Sequence, residues 1–431
     1  MIDPGFMWLL ELILFLITGG LLYIFKFDIL QPSVLMSASM MLSVLFAAVN
    51  TERWQLEFSM TSVLILSLGV LAFAIGSLTV TKNIYKNAIP KKLPKSIYYN
   101  CGAAIYFSMI IMISLAILSF HEIYSLSKTL GNTEGIFNII KTVRPAIEFQ
   151  SLKLSRWMYY RQYIAMGISY VYAYMFLNNI IYFKWSNKNI ILLCPIILYV
   201  PFMIFTTGRM SMISFFIYFV TIGIFLYLKK YYFSLKHNIK AILGLTLLSS
   251  LAVIFFLVMG ALSGKTTTDT RTPFVIISHY LGLSVPAFDS AYNSVGVENN
   301  LIGSHLFVSI YRILNFAGFN FPDVKIFLPF TEFNGINTNV YTAEWRYVKD
   351  FGITGMMAIM WLLGGFYSSF YNWLKYSETG IYSLLLYGTI SYPLFLSSID
   401  ERFFLDLFGS SIIYIALALL LAKKILIDKR K

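Results

Sequence analysis

Eleven stretches of apolar sequence recur along the chain, near 7–25, 33–49, 60–80, 98–120, 163–183, 190–206, 210–228, 240–262, 352–374, 380–398 and 405–422. Each is close to the length that a helix needs to cross a hydrocarbon layer about 30 Å thick. In lipid every backbone amide must find its partner within the protein, and a helix satisfies this locally. The reading is an all-α polytopic membrane protein of about 11 transmembrane helices, a single transmembrane domain over residues 1–431. Composition agrees: 58% hydrophobic residues, 12% charged residues and a mean hydropathy of +0.72 exclude an ordinary soluble domain. Cys101 and Cys194 both lie in apolar runs and imply no disulfide framework. With neither an HExxH motif nor paired cysteines, no metal and no cofactor are expected.

Lysine orients the runs. Lys82, Lys86, Lys91, Lys92 and Lys95 fill the 81–97 loop, and Lys184 and Lys188 the 184–189 turn. Lys229, Lys230, Lys236 and Lys240 fill the 229–240 loop, and Lys423, Lys424, Lys429, Arg430 and Lys431 the C-terminus. If the runs alternate, all of these share one side, which the positive-inside rule makes the cytoplasm. The formal charge of +13 then reflects topology and lipid contact, and no nucleic-acid partner is expected. The long connections 121–162 and 263–350 face out. The first reads as an external loop with short surface helices. The second, between the eighth and ninth spans, reads as a large external loop that caps the active site. Within it the spacing of Leu306, Ile310 and Ile313 marks a helix along the membrane surface.

Arginine follows another rule. Of the ten arginines, Arg53, Arg144, Arg156, Arg161, Arg209, Arg271, Arg312, Arg346 and Arg402 fall outside and only Arg430 inside. Topology needs positive charge of any kind, whereas the guanidinium offers a planar fork suited to phosphate or carboxylate. An arginine-rich outer face points to an anionic ligand; pairing with local acids and lipid headgroups is the plain alternative.

Three stretches concentrate these residues. In "TTGRMS", Arg209 opens a span at the outer plane, where it meets an anion or snorkels to headgroups. The long loop carries Arg271, His279, His305 and Arg312. In "NTNVYTAEWRYVKDFGITG", Gly335 and Asn337 read as a turn, and Tyr341, Trp345 and Tyr347 as a sugar-stacking shelf or an interfacial belt. Glu344 and Arg346 read as a local pair or as site residues, and Asp350 as an N-cap or first-turn acid of the ninth span or as an acid of the site. "SSIDERFF" adds a compact outer turn with Asp400, Glu401 and Arg402; Asp400 as a cap is the alternative.

Taken together, the "TTGRMS" turn, the large outer loop and "NVYTAEWRYVKDFGITG" leading into a span resemble the bacterial oligosaccharide repeat-unit polymerases, the Wzy-type polymerases of O-antigen and related surface polysaccharides. The resemblance implies a GT-C-like membrane glycosyltransferase in the bacterial inner membrane, with its active face periplasmic. Its substrate would be a polyprenyl-pyrophosphate-linked oligosaccharide, whose glycan moves onto a hydroxyl of the next lipid-linked repeat unit. Arg209 and Arg346 would hold the pyrophosphate, with Arg271, Arg312, Arg402 and Tyr341 as further substrate contacts. Glu344, Asp350, His279 or His305 would help the acceptor hydroxyl. Membrane lipid and a polysaccharide chain-length regulator are the implied partners. An O-antigen-ligase-like transferase shares this chemistry, and a flippase or transporter of lipid-linked sugars is the non-enzymatic alternative.

Overall fold

A computed structural model describes residues 3–85, 88–91, 97–100, 102–131, 138–148, 152–183, 185–206, 210–262, 272–293, 301–322, 328–378 and 380–428. The apolar runs become helices. Those before the long loop are α1 (Gly5–Ile24), α2 (Pro32–Val49), the short α3 (Thr51–Trp54), α4 (Met60–Ile84) and α5 (Ala103–Thr129). Next come α6 (Ile139–Glu148) and α7 (Arg156–Tyr182), the latter capped by the Ser155 hydroxyl, which accepts the Met158 amide at 3.2 Å. The sixth run breaks into a 3-10 turn (Asn187–Leu192), α8 (Leu193–Ile197) and α9 (Val200–Phe205), where Pro195 and Pro201 lack the amide a continuous helix would use. Then follow α10 (Met210–Lys230) and α11 (Leu235–Leu262).

The 263–350 segment is more than a cap. It contains α12 (Pro273–Gly282) and α13 (Ser284–Asn293), an apolar pair bent by 42°, and α14 (Val308–Phe316). A hairpin of β1 (Thr331–Phe333) and β2 (Ile336–Thr338) follows. The chain ends with α15 (Ala343–Tyr376), α16 (Ile381–Ile390), α17 (Tyr392–Leu396), α18 (Phe403–Leu407) and α19 (Ser410–Leu426).

Among the described residues, 8 helices are long and apolar enough to cross a membrane, or 9 if the bent pair is one span. The other runs counted from sequence fall on α11, on the interrupted α16–α17 and on the 17-residue α19. Exposed side chains such as Phe15, Ile110 and Leu421 form the apolar surface that lipid would cover. Inside, α4 packs on α15 backbone to backbone: a Cβ on Gly76 would stand 2.0 Å from the Trp361 carbonyl oxygen, and one on Gly364 2.1 Å from that of Phe73.

Two ends of the bundle differ in charge. At the lysine end, the Lys375 ammonium pairs with Asp28 at 2.6 Å, and the Tyr371 hydroxyl donates to the same carboxylate at 2.7 Å. Lys229 caps the end of α15 by donating to the carbonyls of Leu374, Lys375 (2.8 Å) and Ser377 (3.2 Å). Asn238 donates to the Lys26 carbonyl at 2.8 Å and Asn372 to Thr81 at 2.9 Å, so the lysine-bearing connections around 26, 81, 229–240 and 375 do gather on one end. The opposite, arginine end holds the hairpin, the bent pair and the turn 397–402. Ser43 on α2 donates to the Leu281 carbonyl, Ser284 to the Ser398 carbonyl at 2.6 Å, and Ser59 binds Asp289.

Candidate functional site

The site assembles at the arginine end around the first turns of α15. Its approach is the hairpin, whose tip is Asn334–Gly335, both with positive φ (46° and 79°). Asn337, expected in the turn beside Gly335, instead pairs with Glu332 in the sheet. The Asn334 amide donates to the Arg53 carbonyl at 2.9 Å and ties the hairpin to the connection after α2. Tyr341 hydrogen-bonds through its hydroxyl to Thr331 and to the Pro329 carbonyl, both at 2.8 Å. Its ring lies 5.2 Å from that of Trp345. Tyr341, Trp345 and Tyr347 are all buried, so they are packing pillars and not an open shelf.

Arg346 and Asp350 face one way from α15, four residues apart. Arg346 is 3% exposed and donates Nη1 to the His305 carbonyl at 2.8 Å. Asp350 accepts the His305 amide at 3.0 Å, the Leu306 amide at 2.8 Å and His305 Nδ1 at 2.7 Å. The N-cap reading of Asp350 does not hold: it lies two residues before the break at Gly352 that divides α15, and its carboxylate accepts amides of the chain ahead of α14. Just past it, Gly352 takes φ 68°, ψ −176°, a conformation open essentially to glycine alone, and kinks α15. The Asp350 carboxylate can only accept, so His305 Nδ1 is the donor to it, and in the neutral tautomer that this fixes Nε2 is the acceptor. The side chain of His305 remains 22% exposed, and its ring stands edge-on to Trp345 at 5.3 Å.

The turn 397–402 completes the arrangement. The turn is pinned from three elements: the Ser397 carbonyl accepts the Ala343 amide at 2.8 Å, the Ser398 hydroxyl lies 2.9 Å from that of Ser39 on α2, and the Ser398 carbonyl takes the Ser284 bond already described. Glu401 is fully buried and caps α18, accepting the amides of Phe404 (2.8 Å) and Leu405 (3.1 Å) as well as the Tyr347 hydroxyl (3.0 Å). Burial pushes its pKa up to about 7, against those two amides, the Arg346 charge and the Tyr347 hydroxyl, which favour the ionised form. Arg402 binds Asp400 at 2.7 Å and approaches Asp406 at 3.9 Å. Burial opposes the Arg402 charge, but Asp400 and Asp406 outweigh it and hold its pKa above the ordinary value. Tyr392 donates to Asp406. Arg346 lies within electrostatic reach of Asp400, Glu401, Arg402 and Asp350.

The chain matches no family profile, no characterised protein and no solved structure.

Of the residues expected in a site, the structure therefore brings together Arg346, Arg402, Asp350, His305 and Tyr341. Glu344 points elsewhere. It does not pair with Arg346; it is fully buried toward α4, where Gly69 leaves the space that its Cγ fills, 3.0 Å from where a Cβ would be. Among the described residues neither Glu344 oxygen accepts a well-formed hydrogen bond. His279 is buried on α12 with its ring 5.7 Å from Trp54, in a separate contact. Arg312 is exposed on α14. Leu306 is fully buried and Ile313 exposed, so the apolar period expected there does not face one surface. Arg209 and Arg271 lie outside the described residues. Arg161 follows the plain alternative, bound to Glu122 and to Ser119 at 3.0 Å. Sequence reading missed Tyr392 and Asp406, and took Glu401 only as a turn residue. Their one signal was proximity to "SSIDERFF". No group of three or more His, Cys, Asp or Glu residues able to hold a metal occurs among the described residues.

Proposed function

We propose that the protein is a GT-C-like membrane glycosyltransferase that polymerises lipid-linked oligosaccharide repeat units. On this reading eleven spans carry the chain across the bacterial inner membrane, with the lysine end and the C-terminus in the cytoplasm. The growing glycan leaves polyprenyl pyrophosphate for a hydroxyl of the next lipid-linked unit. The observation that carries the reading is that the buried Arg346 and the half-buried Arg402, 56 positions apart in sequence, lie within electrostatic reach of each other beside an oriented His305–Asp350 pair.

The chemistry follows from that arrangement. The acceptor oxygen attacks the anomeric carbon, and the bond from that carbon to the phosphate oxygen breaks. Its electron pair leaves on the lipid diphosphate, whose growing charge the Arg346 guanidinium stabilises. The acceptor proton passes to His305 Nε2, the ring nitrogen not held by Asp350. Arg402, already engaged by Asp400 and Asp406, shapes the site and adds field. Arg209, named from sequence, remains a candidate second ligand. A polysaccharide chain-length regulator is the partner this reading implies.

Transport is the weaker alternative, because the apolar runs are almost free of charged residues at their centres. A ligase would share the donor half of the site. The test is purified protein with synthetic lipid-linked repeat unit, products sized on a gel. A ladder of repeat numbers that disappears with Arg346→Lys supports the proposal. Transfer of one preformed glycan without a ladder favours the ligase, and no transfer at all refutes both.

A further inference from the structure

We infer that Glu401 is a removable counter-ion and hence a positioning residue: it balances Arg346 in the free protein and takes up a proton when a diphosphate diester binds. The inference rests on the donor reading above and assigns Glu401 a role that reading does not require.

Charge arithmetic motivates it. Two guanidinium groups, Arg346 and Arg402, share the site with the carboxylates of Asp350, Asp400, Glu401 and Asp406. Were all four ionised, these described groups together would be net negative before any anion arrived, and the buried Glu401 would sit among like charges. Three of the four have a cation or an imidazole on them: Asp400 at 2.7 Å and Asp406 at 3.9 Å from Arg402, and Asp350 at 2.7 Å from His305 Nδ1. Among the described residues the hydrogen bonds to Glu401 come from neutral donors, Tyr347 and the amides of Phe404 and Leu405. Protonating Glu401 therefore breaks no hydrogen-bonded ion pair among the described residues, and it leaves more of the Arg346 charge for a ligand.

The groups that face Glu401 set its balance. From α15 these are Arg346, Tyr347 and Tyr367. From its own turn and α18 they are Asp400, Arg402 and Asp406, with Tyr392 of α17 bound to Asp406. His305 and Asp350 act through Arg346. Burial already raises the carboxyl to about 7, so a small change in neighbouring charge moves it across neutral pH.

The sign follows from linkage. A ligand that prefers protonated Glu401 binds with constant affinity below the free-protein pKa and more weakly above it, by about tenfold per pH unit for a single coupled proton. The probe is a soluble short-prenyl, single-sugar diester of diphosphate, whose two phosphates stay singly charged across the range. Calorimetry in two buffers of different ionisation enthalpy reads affinity and proton uptake together. Wild-type protein is expected to lose affinity above about pH 7 and to take up a proton there. Glu401→Gln, which is neutral and keeps one acceptor oxygen for the Phe404 amide and the Tyr347 hydroxyl, is expected to bind at high pH as tightly as wild type at low pH, without uptake. Flat wild-type affinity, or uptake that persists in Glu401→Gln, overturns the inference and leaves the donor reading standing. Absence of binding by either protein at every pH refutes the donor reading and this inference with it. Should Glu401→Gln fail to fold, Tyr347→Phe removes one donor to the carboxylate and is expected to move the midpoint upward. An unmoved midpoint overturns the role of Glu401.

Discussion

The lysine end and the arginine end both bury charge, but they bury it differently. At the lysine end Asp28 meets Lys375 and Tyr371, and the Lys229 ammonium donates to three carbonyls at the end of α15. There the charged groups find their partners within the fold, although Asn238 Oδ1 and the Tyr387 hydroxyl have none among the described residues. At the arginine end acids outnumber guanidinium groups, and buried polar atoms go without partners among the described residues, including both Glu344 oxygens, Trp345 Nε1 and Arg402 Nε. Satisfied buried polar groups belong to structure; unsatisfied ones ask for an explanation, and a ligand is one. The difference lies in the charged groups: those of the lysine end form a closed latch, and those of the arginine end leave room for something else to complete them.

The latch gives the largest expected effect. Asp28→Ala strands the Lys375 ammonium in a buried site, and removal of one partner of such a pair costs about 3–5 kcal/mol. Thermal unfolding in detergent is expected to show a severe drop in midpoint or a loss of folded material. The double change Asp28→Leu, Lys375→Met removes both charges and should recover most of the loss. If the double variant is as unstable as the single, the pair does more than hold the fold together, and the contrast between the ends weakens.

Arg346 gives the next effect, in rate and not in stability. Arg346→Lys keeps a positive charge but loses the fork, and glycan transfer is expected to fall about 100-fold, the scale of losing one well-placed donor to a developing anion. The unfolding midpoint should shift far less than in Asp28→Ala. A variant that loses stability and activity in step would make the arginine end a second latch.

How far these ends were legible in sequence depends on the distance over which their residues interact. Helix existence follows from local hydropathy, so α1, α2, α4, α5, α7 and α10 fall close to their expected runs. The gathering of lysines follows from alternation, which needs only a count. The site itself joins His305, Arg346, Asp350, Glu401 and Arg402 across nearly a hundred positions, and no local pattern states that Asp350 binds the amides of residues 305 and 306. Glu344 was misjudged because its direction depends on Gly69, more than 270 positions away. The bent pair α12–α13 was absorbed into a loop because each half is too short to read as a span.

Gly352 tests whether the first turns of α15 are held by the site or merely continue the helix below. An L-residue in this conformation carries about 1–3 kcal/mol of strain. Gly352→Val is therefore expected to lower stability by that order, or to straighten the kink and pull Arg346 and Asp350 out of register with His305. Spin labels or donor–acceptor dyes placed on α14 and on α19 would distinguish the two. An unchanged distance with reduced stability means that the site holds the kink against strain. Full stability with full activity would show that the kink matters to neither end.

Tyr341→Phe is the mildest of these changes and the one that separates the ends most directly. The ring stays beside Trp345, while the bonds to Thr331 and to the Pro329 carbonyl, both at 2.8 Å, are lost. Net loss is expected at about 1 kcal/mol, since water replaces part of what is removed. If the arginine end opens as its own unit, the hairpin amides of Phe333 and Ile336 should exchange with solvent roughly fivefold faster, the factor that such an energy implies. Amides near Tyr371 and Asn372 should keep their rates. Equal acceleration at both ends would mean that the bundle opens as a whole, so the latch and the site would share one stability, and the arginine end could not rearrange around a ligand on its own.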